Sequence, residues 1–240
     1  MKIIVAESYE RMSEYAAAML LGVMMQDKKV NVVLTSGRSP KMMYEVMVPV
    51  VKGNKCFDGV DYYFFDENPH TNRPYGLVYD AISEMYFEPC GIRQDQIHYP
   101  TLEDYQTYDA RIEQAGGIDI AVLGFGADGH FAANVPYCTP MNGYTYTVPH
   151  EEKRAKNPSY PERPFEPITI SMGPASFMRM KQLVMIVNGA EKAEGLKKLV
   201  DIDCVHESFP SSALKLHPNF TIITEPEAAA LLVPGVDYPA

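Results

Sequence analysis

Six short apolar runs, most of them followed by a segment of helical period, constrain the fold of this 240-residue chain more than any other feature. The runs cover residues 2–6, 30–34, 62–65, 118–123, 182–187 and 220–224. Helices are expected near residues 8–25, 40–47, 77–87, 102–114 and 190–200. Strands that are almost continuously hydrophobic are buried on both faces, which is typical of a parallel sheet covered by helices. The sequence therefore predicts an α/β fold with a doubly wound, mostly parallel sheet, as a single domain over residues 1–240.

Charge and hydropathy exclude two classes of partner. The chain carries 31 acidic and 21 basic side chains, a net charge of -10, and an acidic surface repels nucleic-acid phosphates at long range. The longest apolar run, residues 16–25, is about half of the roughly 20 residues that cross a bilayer. The N-terminal residues fit a strand better than a secretion signal. We therefore expect a cytoplasmic protein that binds neither nucleic acid nor membrane.

The cysteines and histidines do not indicate a metal or redox centre. Cys56, Cys90, Cys138 and Cys204 are widely spaced, without a C-x-x-C pair. The six histidines are also scattered, and none is paired at i, i+4 on an evident helix. We expect core thiols, no metal and no cofactor.

Residues 136–167 differ in composition from the remainder of the chain. They contain seven of its nineteen prolines, so they cannot form a long helix. Such a segment is either a passive surface excursion or a lid over a site. We treat it as a lid candidate because it directly follows the most suggestive loop of the chain, described below.

In parallel sheets, ligands bind beyond the carboxyl ends of the strands, so the residues after each run are the candidates for a site. The first such loop contains Ser36, Gly37, Arg38 and Ser39, with Ser39 as a natural N-cap and Pro40 at the first helical position. Free backbone N–H groups and the positive end of the helix dipole suit a phosphate monoester there. Taken alone, the pattern favours an ordinary capped strand-to-helix turn.

The second loop begins with adjacent carboxylates, Asp66 and Glu67. If the strand continues, their side chains point in opposite directions, so that one enters the crevice and the other faces a neighbour or solvent. A partly desolvated carboxylate is suited to proton abstraction. The run Asp-Glu-Asn-Pro also fits a plain turn.

The third loop, residues 124–130, has three glycines, which indicates a tight turn or close approach to a ligand. Asp128 precedes His130 by two residues, so the acid can tune the imidazole or work beside it. In the fourth loop, Lys192 lies in the first turn of a predicted helix, where its charge opposes the dipole. Neutralising a bound phosphate explains that position, and a solvated lysine is the alternative.

Together these loops resemble the glucosamine-6-phosphate deaminase (isomerase) family, whose superfamily includes the 6-phosphogluconolactonases. The resemblance extends over nearly the whole chain. It rests on residues 36–40, 65–67, 124–130, 188–192 and 210–218. The glycine-rich stretch ending in His130 is shared by both branches, whereas Asn134, Pro136 and the Ser-Ser-Ala-Leu-Lys-Leu-His-Pro run favour the deaminases.

The resemblance implies roles for these residues. Asp66 would remove the C2 proton of an opened amino-sugar phosphate and return it to C1, with Glu67 beside it. His130, assisted by Asp128, would open the pyranose ring. The residues that would hold the phosphate and the sugar are Ser36, Gly37, Arg38, Ser39, Gly126 and Lys192. The expected partner is a small sugar phosphate, and a homo-oligomer is possible.

The chain departs from the deaminase pattern at three places. Val135 replaces the glutamate that completes the relay with Asp128 and His130. Asn68 follows the carboxylate pair where a tyrosine is usual. The basic residue expected before the late strands could be Lys153, Arg154 or Arg163. A lactonase of the 6-phosphogluconolactone type, which needs no glutamate relay, and a catalytically silent phosphosugar binder are therefore the alternatives to a deaminase.

Overall fold

The computed structural model describes residues 1–156, 158, 160 and 162–233. The strands, in chain order, are β1 (Lys2–Val5), β2 (Val30–Leu34), β3 (Val60–Phe64), β4 (Asp66–Glu67), β5 (Ile97–His98), β6 (Ile120–Leu123), β7 (Tyr146–Pro149), β8 (Ile168–Ser171), β9 (Leu183–Val187) and β10 (Phe220–Thr224). The α-helices are α1 (Tyr9–Met24), α2 (Lys41–Val51), α3 (Leu77–Ile82), α4 (Glu88–Cys90), α5 (Tyr105–Gln114), α6 (His150–Lys156), α7 (Pro174–Phe177) and α8 (Ala193–Asp201).

Seven parallel strands form the main sheet, in the order β1-β10-β9-β6-β2-β3-β5. Each of the six apolar runs forms one of these strands, so the predicted α/β fold is confirmed. Every residue of β2, β6, β9 and β10 is buried, as expected for strands covered on both faces. The short edge strand β5 was not predicted.

Alternate residues of each central strand contribute to two separate core layers. Val32 and Leu34 pack with α1, α2 and the helical stretch after residue 77, whereas Val33 packs in the opposite layer with α5 and α8. This division follows from the two-residue period of a strand. Each fully buried Val or Leu contributes about 1.5–3 kcal/mol, so both layers hold the sheet that carries the site.

The helices follow the predicted positions with shifted ends. Helix α2 continues to Val51, beyond the expected end at residue 47 and past Pro49. Helix α5 begins at Tyr105 and not at residue 102, because the Asp104 carboxylate accepts hydrogen bonds from the Thr101 amide and hydroxyl and forms a turn there. A π-helical turn, Ser83–Phe87, joins α3 to α4. Helix α8 is preceded by a 3-10 turn, Ala190–Lys192.

A second, three-stranded antiparallel sheet was not predicted. Its order is β4-β8-β7, and it pairs Asp66 with Ser171 and Glu67 with Ile170. Strand β7 and helix α6 both lie in the proline-rich segment 136–167, which is therefore more regular than its composition indicates. Residues 157, 159 and 161 of that segment lie outside the described residues, and its interpretation as a lid stays a prediction. Within the described ranges, no helix has the length and apolar character needed to cross a membrane.

Candidate active site

A cavity of about 500 Å³ opens beyond the carboxyl ends of β9, β6, β2 and β3, which are neighbours in the main sheet. This volume lies within the range of small-molecule sites, roughly 300–1,000 Å³. All four loops selected from the sequence contribute to its wall. The lining residues are Thr35, Ser36, Gly37, Arg38, Ser39, Phe65, Asp66, Asn68, Val78, Gly124, Phe125, Asp128, His130, Ala132, Ala133, Val135, Tyr160, Arg163 and Lys192.

At one end of the cavity, the loop of residues 36–39 lies beside the Lys192 side chain. We call residues 36–39 together with Lys192 the anion seat. The Lys192 ammonium donates a hydrogen bond of 3.1 Å to Ser39 Oγ, and Gly37 has a φ of 101°, which favours glycine. Burial, together with the charge of Arg38, lowers the pKa of Lys192. A bound phosphate would oppose that shift and keep the ammonium charged.

The hydroxyl of Ser39 does not cap helix α2. The helix begins at Lys41, with Pro40 in the cap position and no side-chain cap hydrogen bond. The expected N-cap at Ser39 is therefore wrong, because its hydroxyl accepts from Lys192 instead. Tyr9 supports the loop from outside, donating its hydroxyl to the carbonyl oxygens of Arg38 and Ser39 at 3.2 and 3.1 Å.

The side chains of Asp66 and Glu67 point in opposite directions, as alternation along a strand requires. Asp66 lines the cavity. Burial raises its pKa from the ordinary 3.8 to about 6, although the positive charges of Lys153, His130 and Arg163 oppose the rise. A carboxylate with a pKa in this range is ionised at neutral pH and still basic enough to accept a proton from carbon with help from a neighbouring group.

Glu67 is not among the cavity-lining residues. Its carboxylate is 2% exposed and accepts hydrogen bonds from the amides of Asn68, Val78 and Tyr79 at 2.7, 2.8 and 2.9 Å. Burial raises its pKa to about 7 against these bonds. These contacts connect β4 to the first turn of α3 and support a structural role for Glu67. The expected catalytic role has no support from the geometry, because the Glu67 side chain does not line the cavity.

Asp128 and His130 form a pair at the cavity wall. Asp128 Oδ1 lies 2.6 Å from Nδ1 of His130 and accepts from its backbone amide at 3.1 Å. Burial alone would raise the pKa of Asp128, but the hydrogen bond and charge of His130 hold it below its ordinary value. The ionised carboxylate fixes the proton on Nδ1 and leaves Nε2 with the lone pair that can accept a proton.

Gly126, which we expected to contact the substrate, has another function in this loop. It does not line the cavity, and a Cβ atom there would lie 2.1 Å from Nδ1 of His130. Only glycine leaves room for the imidazole in its observed position. The glycine at position 126 is therefore explained by packing against the His130 ring.

The structure distinguishes among the three basic residues that the sequence left open. Arg163 lines the cavity. Lys153 is fully buried beside it and bonds to Thr169 Oγ1 at 2.8 Å, whereas Arg154 pairs with Glu162 at the surface. Arg163 is therefore the one placed to contact a ligand directly. Thr169 and His150 were not identified from the sequence, because only the fold brings them to β4.

Val135 lines the cavity at the position where the deaminase pattern has a glutamate, and its side chain is 4% exposed. This part of the wall is apolar, since Ala132 and Ala133 lie next to it. Within the described residues, no group of three or more His, Cys, Asp or Glu side chains is arranged to hold a metal ion.

Comparison with known proteins agrees with this geometry. A family model described as glucosamine-6-phosphate isomerases/6-phosphogluconolactonase matches residues 5–222. A glucosamine-6-phosphate deaminase of Shouchella clausii (strain KSM-K16) is 33% identical over 250 residues, covering 96% of this chain and 97% of the relative. One of Lysinibacillus sphaericus (strain C3-41) is 35% identical over 234 residues, covering 93% and 98%.

Two solved structures share the fold. A monomeric glucosamine-6-phosphate deaminase has a TM-score of 0.80 at 23% identity, covering 96% of this chain and 100% of that chain. The 6-phosphogluconolactonase of Trypanosoma brucei has a TM-score of 0.71 at 17% identity, covering 97% and 98%. Since the family model spans most of the sequence and the curated relatives match almost its full length, the chain belongs to the glucosamine-6-phosphate isomerase/6-phosphogluconolactonase family.

Proposed function

We propose that this protein is an enzyme that converts glucosamine 6-phosphate, or a close amino-sugar phosphate, and water into the ketose phosphate and ammonia. The observation that carries the proposal is a single cavity shared by the anion seat, the Asp128–His130 pair and the Asp66 carboxylate. Deamination with isomerisation needs these three elements: a fixed anionic handle, an acid–base group at the ring oxygen and a base near C2. The deaminase names of the curated relatives support the same reaction.

Binding would begin at the anion seat. The phosphate would accept hydrogen bonds from the amides of residues 37–39 and from Lys192, and Arg163 is a further basic side chain that lines the same cavity. Fixing the phosphate holds the sugar chain in one register along the cavity. That register is what places C1 and C2 beside the catalytic groups.

His130 would then open the ring. Its Nε2 would take the proton of the C1 hydroxyl and return a proton to the ring oxygen as the C1–O5 bond breaks. Asp128 stabilises the transient imidazolium, because its carboxylate is already 2.6 Å from Nδ1. The product is the open-chain aldehyde with its amino group still on C2.

Asp66 would transfer the proton between carbons. Its carboxylate removes the proton from C2 while the C2 ammonium group gives one proton to O1, which leaves a neutral enolamine. The resulting carboxylic acid returns the proton to C1, giving a C1 hydroxymethyl group and a protonated C2 imine. Water adds to the imine carbon, and the C2–N bond breaks to release ammonia and leave the ketone. Burial keeps Asp66 basic for these steps, and its pKa of about 6 leaves it ionised at neutral pH.

Glucosamine 6-phosphate turnover, followed by ammonia and fructose 6-phosphate release, tests the proposal. We expect turnover by the wild type and loss of at least about 100-fold in Asp66→Asn. Asp203→Asn, at an exposed position, is the matched control and should retain activity. No turnover across a panel of hexosamine and hexose phosphates would refute the enzyme proposal, and tight binding without turnover would indicate a silent phosphosugar binder.

A lactonase is the second candidate, and Val135 favours it. Hydrolysis of a 6-phosphogluconolactone needs water activated by His130 and the same anion seat, but no glutamate relay. Accelerated lactone hydrolysis that is lost in His130→Ala, with no ammonia release from the amino sugar, would support this reaction over deamination.

We further propose that the protein acts in the cytoplasm on free sugar phosphates and not on nucleic acid. The net charge of -10 supports this, since a polyanion would be repelled. Electrophoretic mobility of labelled DNA or RNA should be unchanged by the protein.

Self-association into a homo-oligomer is also a proposal, and light scattering on the purified chain measures it.

A further inference from the structure

Asn68 lies on the same side of the chain as Asp66. It follows β4 directly, two residues after Asp66, and both residues line the cavity while Glu67 between them points away. Residues two apart on an extended strand share a face. The Asn68 carboxamide is therefore next to the carboxylate that we propose as the base.

The carbonyl oxygen of that carboxamide is held from behind. Asn68 Oδ1 accepts a hydrogen bond of 2.7 Å from Thr169 Oγ1 and lies 3.2 Å from Nε2 of His150. Thr169 is fully buried on β8, next to Ile170, which pairs with Glu67. Lys153 Nζ donates to the same Thr169 hydroxyl at 2.8 Å, and His150 Nε2 lies 2.6 Å from it.

With Oδ1 of Asn68 facing Thr169, the donors and acceptors of this cluster allow one consistent arrangement of protons. An ammonium only donates, so Thr169 Oγ1 accepts from Lys153 and can give its single proton to Asn68 Oδ1. That oxygen only accepts, so Nε2 of His150 carries the ring proton. Nδ1 of His150 is then an unprotonated acceptor, and it is buried without a hydrogen-bond partner among the described residues.

In the opposite orientation, Asn68 would donate its NH₂ group to Thr169, the threonine proton would go to Nε2 of His150 and the ring proton to Nδ1. Nδ1 of His150 is buried without a partner among the described residues in either arrangement, so it does not distinguish them. The structure has the Asn68 oxygen, not the NH₂ group, 2.7 Å from Thr169 Oγ1. The cluster therefore directs the Asn68 oxygen inward and its NH₂ group toward the open side, where it donates to no described protein group.

We propose that Asn68 is a substrate-binding residue whose Nδ2 donates a hydrogen bond to an oxygen on a carbon adjacent to the one that Asp66 deprotonates, and that Thr169 is the positioning residue that orients it. The inference depends on the proposed function for the identity of that carbon. A donor at this place binds the C1 carbonyl oxygen or the C3 hydroxyl of the opened sugar. Because charge develops on O1 when C2 loses its proton, a bond to O1 strengthens in the transition state.

Three variants test the inference. Asn68→Leu keeps the size but removes the donor, Thr169→Val removes the hydroxyl that orients the amide, and Thr169→Ser restores that hydroxyl. We expect kcat/KM for glucosamine 6-phosphate to fall about 10- to 100-fold in the first two variants and to recover most of its value in Thr169→Ser. The inhibition constant of inorganic phosphate, which reports only the anion seat, should stay within about twofold of the wild type.

Asn68→Leu leaves the hydrogen bond between Lys153 and Thr169 in place. This variant therefore remains informative if Thr169→Val fails to fold. A kcat/KM within about twofold of the wild type in Asn68→Leu would overturn the inference. A parallel loss of phosphate inhibition in that variant would also overturn it, since the damage would then be general.

The proposed function and this inference fail separately. Absence of wild-type turnover refutes the deaminase reaction, and calorimetric binding of glucosamine 6-phosphate then decides the role of Asn68. Weaker binding by at least about tenfold in Asn68→Leu, with phosphate binding intact, supports a substrate contact. Equal binding by both proteins, or no sugar binding beyond that of phosphate in the wild type, overturns it.

Discussion

Asp128 contacts His130 twice, through the imidazole Nδ1 at 2.6 Å and through the backbone amide at 3.1 Å. Gly129 between them has a φ of 85°, which allows the chain to fold back so that one carboxylate reaches both groups. The imidazole is therefore held in one orientation and one tautomer before any ligand arrives. In the ring opening that we propose, the proton transfer by His130 therefore depends on Asp128.

Asp128→Asn should lower kcat for glucosamine 6-phosphate by about 100-fold, because a neutral amide neither fixes the tautomer nor stabilises the imidazolium. Steady-state kinetics measures the effect. Inhibition by inorganic phosphate serves as the control and should be unchanged, since the anion seat is intact. Activity within a factor of three of the wild type would remove Asp128 from the ring-opening step.

The raised pKa of Asp66 predicts both a pH profile and a stability effect. The base is active when ionised, so kcat/KM should fall about tenfold per pH unit below pH 6 and level off above it. Between about pH 4 and 6 the folded chain holds a proton that the unfolded chain has lost. The contribution of Asp66 to the free energy of unfolding therefore decreases as the pH rises through that window.

Asp66→Asn removes the buried charge and should increase the free energy of unfolding at pH 7.5 by about 1–3 kcal/mol. The decrease in the free energy of unfolding that Asp66 causes between about pH 4 and 6 should be absent in this variant. Urea denaturation at pH 4 and pH 7.5 measures this, with a smaller gain expected at pH 4. Equal stability of variant and wild type at pH 7.5 would show that the carboxylate is well solvated in the folded protein.

Gly126→Ala should reduce activity at least about tenfold with little loss of fold, because the added Cβ would lie 2.1 Å from His130 Nδ1 and must displace the ring. Gly22→Ala is the matched control, since a Cβ there meets nothing within 4 Å. Kinetics and the imidazole NMR signals should change only in the first variant. An unperturbed His130 signal in Gly126→Ala would contradict the packing role.

The main sheet was predictable because its long strands come from hydrophobic runs, and the signal of each run is contained within four to six consecutive residues. The site loops followed from the same signal, since parallel strands bring their carboxyl ends to one edge. Strand β4 has only two residues, Asp66 and Glu67, and no local pattern distinguishes it from a turn. Its existence depends on pairing with β8, about one hundred residues later.

The same large separation along the chain explains why Thr169 was not identified, since it lies 101 positions from Asn68, its hydrogen-bond partner. Lys153 was one of three basic candidates, and the proline-rich composition of its segment did not show which of the three reaches the site. Alternation along the strand predicted that Asp66 and Glu67 would diverge, but not which of them would enter the cavity. That choice is made by the amides of α3, which bind the Glu67 carboxylate.

Val135→Glu tests whether the apolar residue at the relay position is the only defect in a deaminase site. The side chain is 4% exposed and lines the cavity, so a carboxylate there could hydrogen-bond to the Asp128–His130 pair or to the opened sugar. We expect kcat for glucosamine 6-phosphate to rise several-fold, with a loss of about 1–3 kcal/mol in stability because a charge is buried. Val135→Gln, of similar size but unable to ionise, is the control and should bring no gain. If a folded Val135→Glu variant is no faster than the wild type, the site has been adapted to a substrate whose reaction needs no glutamate, and the panel of sugar phosphates and lactones becomes the decisive measurement.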